Sequence, residues 1–348
     1  MSKKYLIYTD PHWSQYSSIV RRRGKKYSVR LHNLIDSINW IETKAKELDC
    51  DGIIECGDFF DRESLNCEEI TALQDLKFAN IDHEFIVGNH ESNVSDLEFS
   101  STKFFESIGA KVYDTIQRKV INDKVDFYYI PYLTDDRLPK LKDIIIDKKK
   151  KNVVFAHLDI AGLQYGMYTS QSGMNIQDIL DNCTLFLDGH LHNGQIIEKK
   201  IVLIGNLTGQ NFNEDSTKYE HLAYLLTVND DGTIILEGIE NPCSINFYKL
   251  KIESDAELKI LDSLKNNCVL SVTCSSTIKD KVQTKIDSLN NILEYRLNIF
   301  YDILQSTTTG DKIITKEIDH MQQFIDLANS KFEPSPALTD ELLRLKGV

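Results

Sequence analysis

The sequence predicts an α/β protein of layered sheets flanked by helices, followed by a small αβ module and terminal helices. Three observations carry this expectation. Apolar runs alternate with helix-period segments early in the chain and come in pairs later, as in sheets covered by helices. Five of those runs each end in a residue able to hold a metal ion. After Asn241-Pro242 the pattern shifts to a short strand-helix-strand-helix-strand series.

Taken in order, residues 4–8 form a short strand ending at Asp10-Pro11-His12-Trp13. After a basic loop, Leu31, Leu34, Ile35, Ile38, Ile41, Ala45 and Leu48 recur at three- and four-residue spacing, the signature of an amphipathic helix. A second strand, 52–56, ends at Gly57-Asp58-Phe59-Phe60-Asp61. Asn66 with Glu69 suits a capping box for a helix carrying Ile70, Leu73 and Leu76. The run Glu84 to Val87 ends at Gly88-Asn89-His90-Glu91, where Gly88 is expected to permit a turn. Strands 126–130 and 152–156 follow, the latter ending at His157, and 184–187 ends at Asp188-Gly189-His190-Leu191-His192. Hairpin-like strands occupy roughly 195–240, with a turn at Asn229-Asp230-Asp231-Gly232. In the later module, 245–252, 269–274 and a run through Leu297 and Ile299 read as strands. Ser254 with Glu257 is placed to cap one helix, and Val282, Ile286, Leu289 and Leu293 mark another. A polar linker from Ser306 leads to a helix with Ile318, Met321, Phe324 and Ile325, and a last helix carries Leu342 and Leu343. The expected domains are therefore 1–243, 244–305 and a linker with helices over 306–348.

At 348 residues, 41% hydrophobic and 27% charged, the chain can bury a large core, and collagen-like, mucin-like and disordered classes are excluded. No apolar span approaches membrane length and no leader pattern follows Lys3-Lys4, so a cytoplasmic protein is expected, without membrane contact. Seven scattered cysteines without Cys-x-x-Cys read as reduced core thiols. Forty basic against fifty-three acidic residues, a net charge of −13, argues against a passive nucleic-acid coat. It leaves room for a DNA enzyme with a local basic groove and a metal-filled acidic centre.

Singly, each strand-end motif has an ordinary structural reading: a turn, a loop, a hydrogen-bonded core histidine. Together, Asp10, His12, Asp58, Asn89, His90, His157, His190 and His192 offer carboxylate, imidazole and amide donors suited to borderline divalent ions. Two ions can share the set if Asp58 bridges them, and a two-ion site suits the charge of a phosphodiester in its transition state. The run Arg21, Arg22, Arg23, Lys25 and Lys26 is a candidate for tracking a phosphate backbone, or a solvated loop. Tyr128-Tyr129 and Phe59-Phe60 read as packing.

In this order, Asp10-x-His12, Gly57-Asp58-x-x-Asp61, Gly88-Asn89-His90-Glu91, His157 and Gly189-His190-x-His192 resemble the calcineurin-like metallophosphoesterase superfamily. The resemblance implies a four-layer α/β/β/α sandwich with two divalent metal ions, Mn²⁺ being the expected one. It implies one ion held by Asp10, His12, Asp58 and His192, and another by Asp58, Asn89, His157 and His190. His90 is implied as the non-ligand catalytic histidine that serves the leaving oxygen. Within the superfamily the chain looks like the SbcD family, DNA exo/endonuclease subunits of a double-strand-break repair and recombination complex in bacteria and phages. The basic loop before a long helix, the segment Ile130-Pro131-Tyr132 and the late αβ module, resembling a capping domain, carry this narrower likeness. It implies DNA as substrate, a homodimer within a heterotetramer, and an SbcC-type coiled-coil ATPase docking on Ile318, Met321, Phe324, Ile325, Leu342 and Leu343. The chain departs from the family at Trp13-Ser14, where Leu-Gly is usual, and at Glu91, where Asp is usual. Glu91 is expected to join the catalytic set by orienting His90. The competing readings are a small-molecule phosphodiesterase or phosphatase on the same core, and a non-enzymatic scaffold acting through its terminal helices.

Overall fold

In the computed structural model, which describes residues 2–17, 20, 23–93, 96–165 and 168–300, strand alternation sorts side chains between three cores. In the strand Lys3–Tyr8, Tyr5 and Ile7 face one core while Leu6 and Tyr8 face another. The same split separates Ile54 from Ile53, Ile86 from Phe85, and Phe127 and Tyr129 from Tyr128 and Ile130. Strands buried on both faces read as continuous apolar runs, which explains their legibility in the sequence.

Two six-stranded sheets result. The first runs Ile234–Glu240, Leu222–Val228, Lys3–Tyr8, Gly52–Glu55, Asp82–Ile86 and Lys111–Tyr113, with its last four strands parallel. The second runs Gln195–Ile197, Ile201–Leu203, Leu185–Asp188, Lys151–Ala156, Val125–Ile130 and Gln117–Val120, parallel at its centre and antiparallel at both edges. Phe127, Val153, Phe155 and Leu187 of the second meet Tyr5, Ile7 and Ile54 of the first in the core between the sheets. The helix Val29–Glu47 covers the outer face of the first sheet through Leu31, Leu34, Ile38 and Ile41. Leu141, Ile145 and Ile179, from the helices Leu141–Ile144 and Ile176–Asn182 and their ends, cover the outer face of the second. The layers are helix, sheet, sheet, helix. Parallel strands place their carboxyl ends on one edge, the usual address of chemistry in such sheets.

The long helix is capped by Ser28, whose Oγ accepts from Leu31 N at 3.1 Å. The Asn66–Glu69 capping box forms with both reciprocal bonds at 2.9 Å. That helix is shorter than expected, Cys67–Leu73, and Ile70 is exposed. Its inner face instead holds Glu69, Ala72 and Leu73, because the Glu69 carboxylate turns inward to accept from Gln15 N at 2.7 Å and pairs with Arg62.

Beyond the sandwich, Asn246–Ile252, Cys268–Ser275 and Ile292–Phe300 form a parallel three-stranded sheet. One face builds its own core from Leu250, Leu270, Val272, Leu261, Val282 and Ile286. On the other, Phe247 and Val269 pack with Val20, Phe212 and Ile245. The first connection is a 3₁₀ helix, Asp255–Ser263, and not the capped helix expected from Ser254 and Glu257. Ser254 makes no side-chain cap, and Glu257 Oε2 instead accepts from Glu253 N at 2.7 Å. The helix Lys279–Asp287 ends before Leu289, and Leu293 belongs to the next strand. All seven cysteines are free thiols. No helix among the described residues is long and apolar enough to cross a membrane. The expected segment 306–348 lies outside the described residues.

Removing the ring of Phe155 from between the sheets in Phe155→Ala should cost about 3–5 kcal/mol. Asn66→Ala should cost only about 1 kcal/mol by loss of the cap. Denaturant midpoints at unchanged m value check both.

Candidate active site

The turns after the strands are built in an uncommon conformation. Asp10, His12, Asp58 and His190 all have left-handed backbones, with φ of 50°, 49°, 57° and 63°. Non-glycine residues held there cost about 1–3 kcal/mol each, and persist where surrounding contacts over-determine them. Here the first two turns are laced together: Asp10 N donates to Gly57 O at 3.1 Å, His12 N to Asp58 O at 3.1 Å and Trp13 N to Phe59 O at 2.7 Å. Trp13 is buried, with Nε1–H donating to Glu69 O at 3.0 Å, so its departure from the usual family residue serves packing. Phe59, Phe60, Tyr128 and Tyr129 are likewise buried.

Glycines make room for the polar atoms. A Cβ on Gly88 would lie 2.2 Å from Asp58 Oδ1 and 2.4 Å from Asp58 N, so the position needs space more than it needs a special turn. Gly57 needs both, with φ of 98° and a hypothetical Cβ 2.3 Å from His157 Nδ1.

Two clusters of ligand atoms converge. In the first, His12 Nε2 and His192 Nε2 face each other at 3.0 Å, with Asp10 Oδ1 3.5 Å from the former and 3.8 Å from the latter. In the second, Asn89 Oδ1 lies 3.1 Å from His157 Nε2 and 3.0 Å from His190 Nδ1. Asp58 serves both, its Oδ2 being 3.1 Å from His157 Nε2 and 3.9 Å from His12 Nε2. Every ligand residue expected from the sequence is thus brought to one place.

The protons are directed outward from these clusters. His157 Nδ1 donates to Cys56 O at 2.8 Å and His192 Nδ1 to Glu214 Oε1 at 2.7 Å, leaving both Nε2 lone pairs turned inward. Among the described residues, no donor reaches the buried Asp10 Oδ1 within hydrogen-bonding geometry. Convergent lone pairs and an orphaned carboxylate oxygen repel one another unless positive charge lies between them, and carboxylate, imidazole and amide donors suit a borderline divalent ion. The site favours positive charge at these atoms, carried by ring protons where no cation takes their place. Burial opposes charge on both residues, yet His157, with His12 and His90, holds the Asp58 carboxyl well below its usual range. Asp10 and Asp61, followed by Asp58, push His12 up to about 10.

His90 is exposed beside the first cluster, its ring 4.7 Å from that of His12 in edge-on contact. Its backbone N–H donates to Asp58 Oδ1 at 2.9 Å and its Nδ1 to Asp61 O at 3.0 Å. This fixes the tautomer and leaves Nε2 available to a substrate. The expected role of Glu91 is corrected. Its buried carboxylate accepts from Gly88 N at 3.0 Å and from Phe60 N at 2.9 Å, and Asp61 holds His90 instead. Glu91 is a clamp between two turns, with burial and the neighbouring Asp58 raising its pKa to about 7.

Three contributors escape sequence reading. Glu214, buried in the Asn-rich stretch 209–214, orients His192. Asp159 Oδ1 lies 3.3 Å from His190 Nε2, and His157-x-Asp159 was the available signal. The backbone carbonyl of Asp61 has no sequence signal at all. In the basic loop, Arg23 pairs with Glu68 at 2.6 Å and Lys26 with Asp75 at 2.7 Å, while Lys25 is exposed. Arg21 and Arg22 lie outside the described residues, as do Ile318, Met321, Phe324, Ile325, Leu342 and Leu343.

Residues 3–194 match a family model described as calcineurin-like phosphoesterase, a span containing every candidate ligand from Asp10 to His192. Among solved structures, the chain is similar to a dimetal phosphatase from Danio rerio, at 12% identity over 69% of this chain and 96% of that one, with a TM-score of 0.41. It is also similar to the calcineurin-like phosphoesterase YfkN of Bacillus subtilis, at 12% identity over 69% and 90% of the two chains, TM-score 0.36. The NAD nucleotidase of Haemophilus influenzae matches at 10% identity over 83% of this chain and 60% of its own, TM-score 0.37. No curated protein sequence matches the chain.

Gly88→Ala should displace Asp58 and weaken divalent-ion binding by about 10- to 100-fold, the scale seen when a ligand's support is disturbed. Calorimetric titration of the full chain with Mn²⁺, beside a thermal melt, measures it.

Proposed function

The chain belongs to the calcineurin-like phosphoesterase family, and from that premise we propose that it hydrolyses DNA phosphodiester bonds with two divalent ions. The observation that carries this reading is the pair of ligand clusters sharing Asp58, with exposed His90 alongside. Asp10, His12, Asp58 and His192 would hold one ion, and Asp58, Asn89, His157 and His190 the other. Bound ions in such a pair polarise the phosphoryl group and make water a competent nucleophile at neutral pH.

The chain's own residues supply the rest. Asp61 O holds the Nδ1 proton of His90, so Nε2 is the atom that reaches the substrate. As the water, having yielded one proton to solvent, bonds through its oxygen to phosphorus and the bond from phosphorus to the sugar oxygen breaks, protonated His90 gives its Nε2 proton to that leaving oxygen. Asp58 keeps His90 in place through the backbone, tying the general acid to the bridging carboxylate. Glu91 fixes the turns on which both stand.

The resemblance to the SbcD family extends the proposal. The chain would be the nuclease subunit of an SbcCD-like repair and recombination complex in the cytoplasm, with Mn²⁺ as its ion. An SbcC-type coiled-coil ATPase and a second copy of the chain would be its partners. Exposed His90 suits a polymer whose flanks stay outside the site, and the three-stranded module lies against the segment of Glu214 through Phe212.

A specific observation favours a second reading, a small-molecule phosphodiesterase or phosphatase. Arg23 and Lys26 are already paired with the chain's own acids, which lowers their value to a DNA backbone.

With Mn²⁺, the full chain should degrade linear duplex DNA, and His90→Ala should lower kcat by about 10²- to 10⁴-fold with both ions retained. Fast turnover of an aryl phosphodiester beside an untouched duplex would select the second reading. Full activity of His90→Ala would sink the assigned proton transfer.

A further inference from the structure

We propose that Arg30 is a positioning residue for one of the two ions, the one assigned to Asp10, His12, Asp58 and His192. The inference rests on the two-ion reading and adds to it a residue outside every motif. Arg30 is the second residue of the long helix Val29–Glu47 and only 1% exposed. Its guanidinium donates from Nη2 to Pro11 O at 2.7 Å and from Nη1 to Gly209 O at 2.9 Å. Among the described residues no carboxylate accepts a hydrogen bond from it, and its Nε has no acceptor. Burial draws its pKa down to about 10, against the more distant charges of Glu214 and Asp61.

Burying a guanidinium without a hydrogen-bonded anion is expensive, and an apolar side chain of similar volume fills space at lower cost. What such a side chain lacks is a rigid fork of donors able to hold two carbonyls at a fixed separation. The two carbonyls held here are informative. Pro11 lies between Asp10 and His12, in the turn where both neighbours have left-handed backbones. Gly209 opens the stretch in which Asn211 N donates to Glu214 Oε2 at 3.3 Å, while Glu214 Oε1 takes the Nδ1 proton of His192. The guanidinium therefore ties the turn that carries His12 to the loop whose Glu214 orients His192, and the two imidazoles so placed face each other at 3.0 Å. In the other cluster, His157 is anchored on Cys56 O and Asn89 bridges His157 and His190, with no bond to Arg30. Its influence should fall on one ion.

The test titrates the metal-free full chain with Mn²⁺, following heat and the magnetic coupling between paired ions by electron paramagnetic resonance. Wild type should bind two coupled ions. Arg30→Met should bind one with unchanged affinity and the other about 10- to 100-fold more weakly, giving an uncoupled spectrum. Arg30→Lys should restore part of the second affinity. Glu214→Gln, which acts from the opposite loop, should lose the same ion, and it decides the matter if Arg30→Met does not fold. Two coupled ions at wild-type affinity in Arg30→Met or Glu214→Gln overturn the inference, as does equal loss of both ions from a folded variant. Wild type binding fewer than two ions would instead overturn the two-ion reading on which the inference rests.

Discussion

Asp58 commits its two carboxylate oxygens in different directions. Oδ1 accepts the backbone N–H of His90, while Oδ2 stands between His157 and His12. A single side chain thereby joins the two clusters to each other and both to the exposed histidine. Its position is set by contact on one side and backbone bonding on the other. The absent Cβ of Gly88 leaves space for Oδ1, and the Asp58 carbonyl accepts from His12 N. Displacing this carboxylate would alter three distances at once, so the surrounding structure reads as a set of restraints upon it.

Those restraints hold a local arrangement that short peptides would reject. Four residues of the site take left-handed backbones, and the site gathers acceptors with few donors among them. Burial between two sheets provides rigidity, because the strands feeding the turns are packed on both faces. The two departures from the family pattern fit the same account. Trp13 anchors its loop on the Glu69 carbonyl, and Glu91 reaches two backbone amides across separate turns. Neither occupies a ligand position.

The fold was legible wherever one local period had one structural meaning. Strands buried on both sides appeared as apolar runs, and the Asn66–Glu69 cap involves residues three apart. Ser254 and Glu257 offered the same spacing, but Glu257 found a different backbone N–H and the segment tightened to a 3₁₀ helix. Ile70 fitted a helical stripe, yet a buried acid took the inner face. At the site, the convergence of the candidate ligands was legible because side-chain chemistry and strand ends coincide five times. Glu214, Arg30 and the Asp61 carbonyl were not, since their partners lie in distant parts of the chain or act through the backbone. Arg23 and Lys26 looked available in the sequence for the same reason: Glu68 and Asp75 approach them only in the fold.

The facing pair His12 and His192 are 180 residues apart in the chain. One comes from the sheet that begins the protein and the other from the sheet that completes the sandwich. Such a pair closes only after the two sheets dock, a late and slow class of contact in folding. An ion held between them would discriminate docked from undocked chains, and mass action would make its binding free energy part of the stability of the sheet-to-sheet interface. Metal supply would then add to the stability of a chain already able to dock its sheets, and help decide how much of it stays docked.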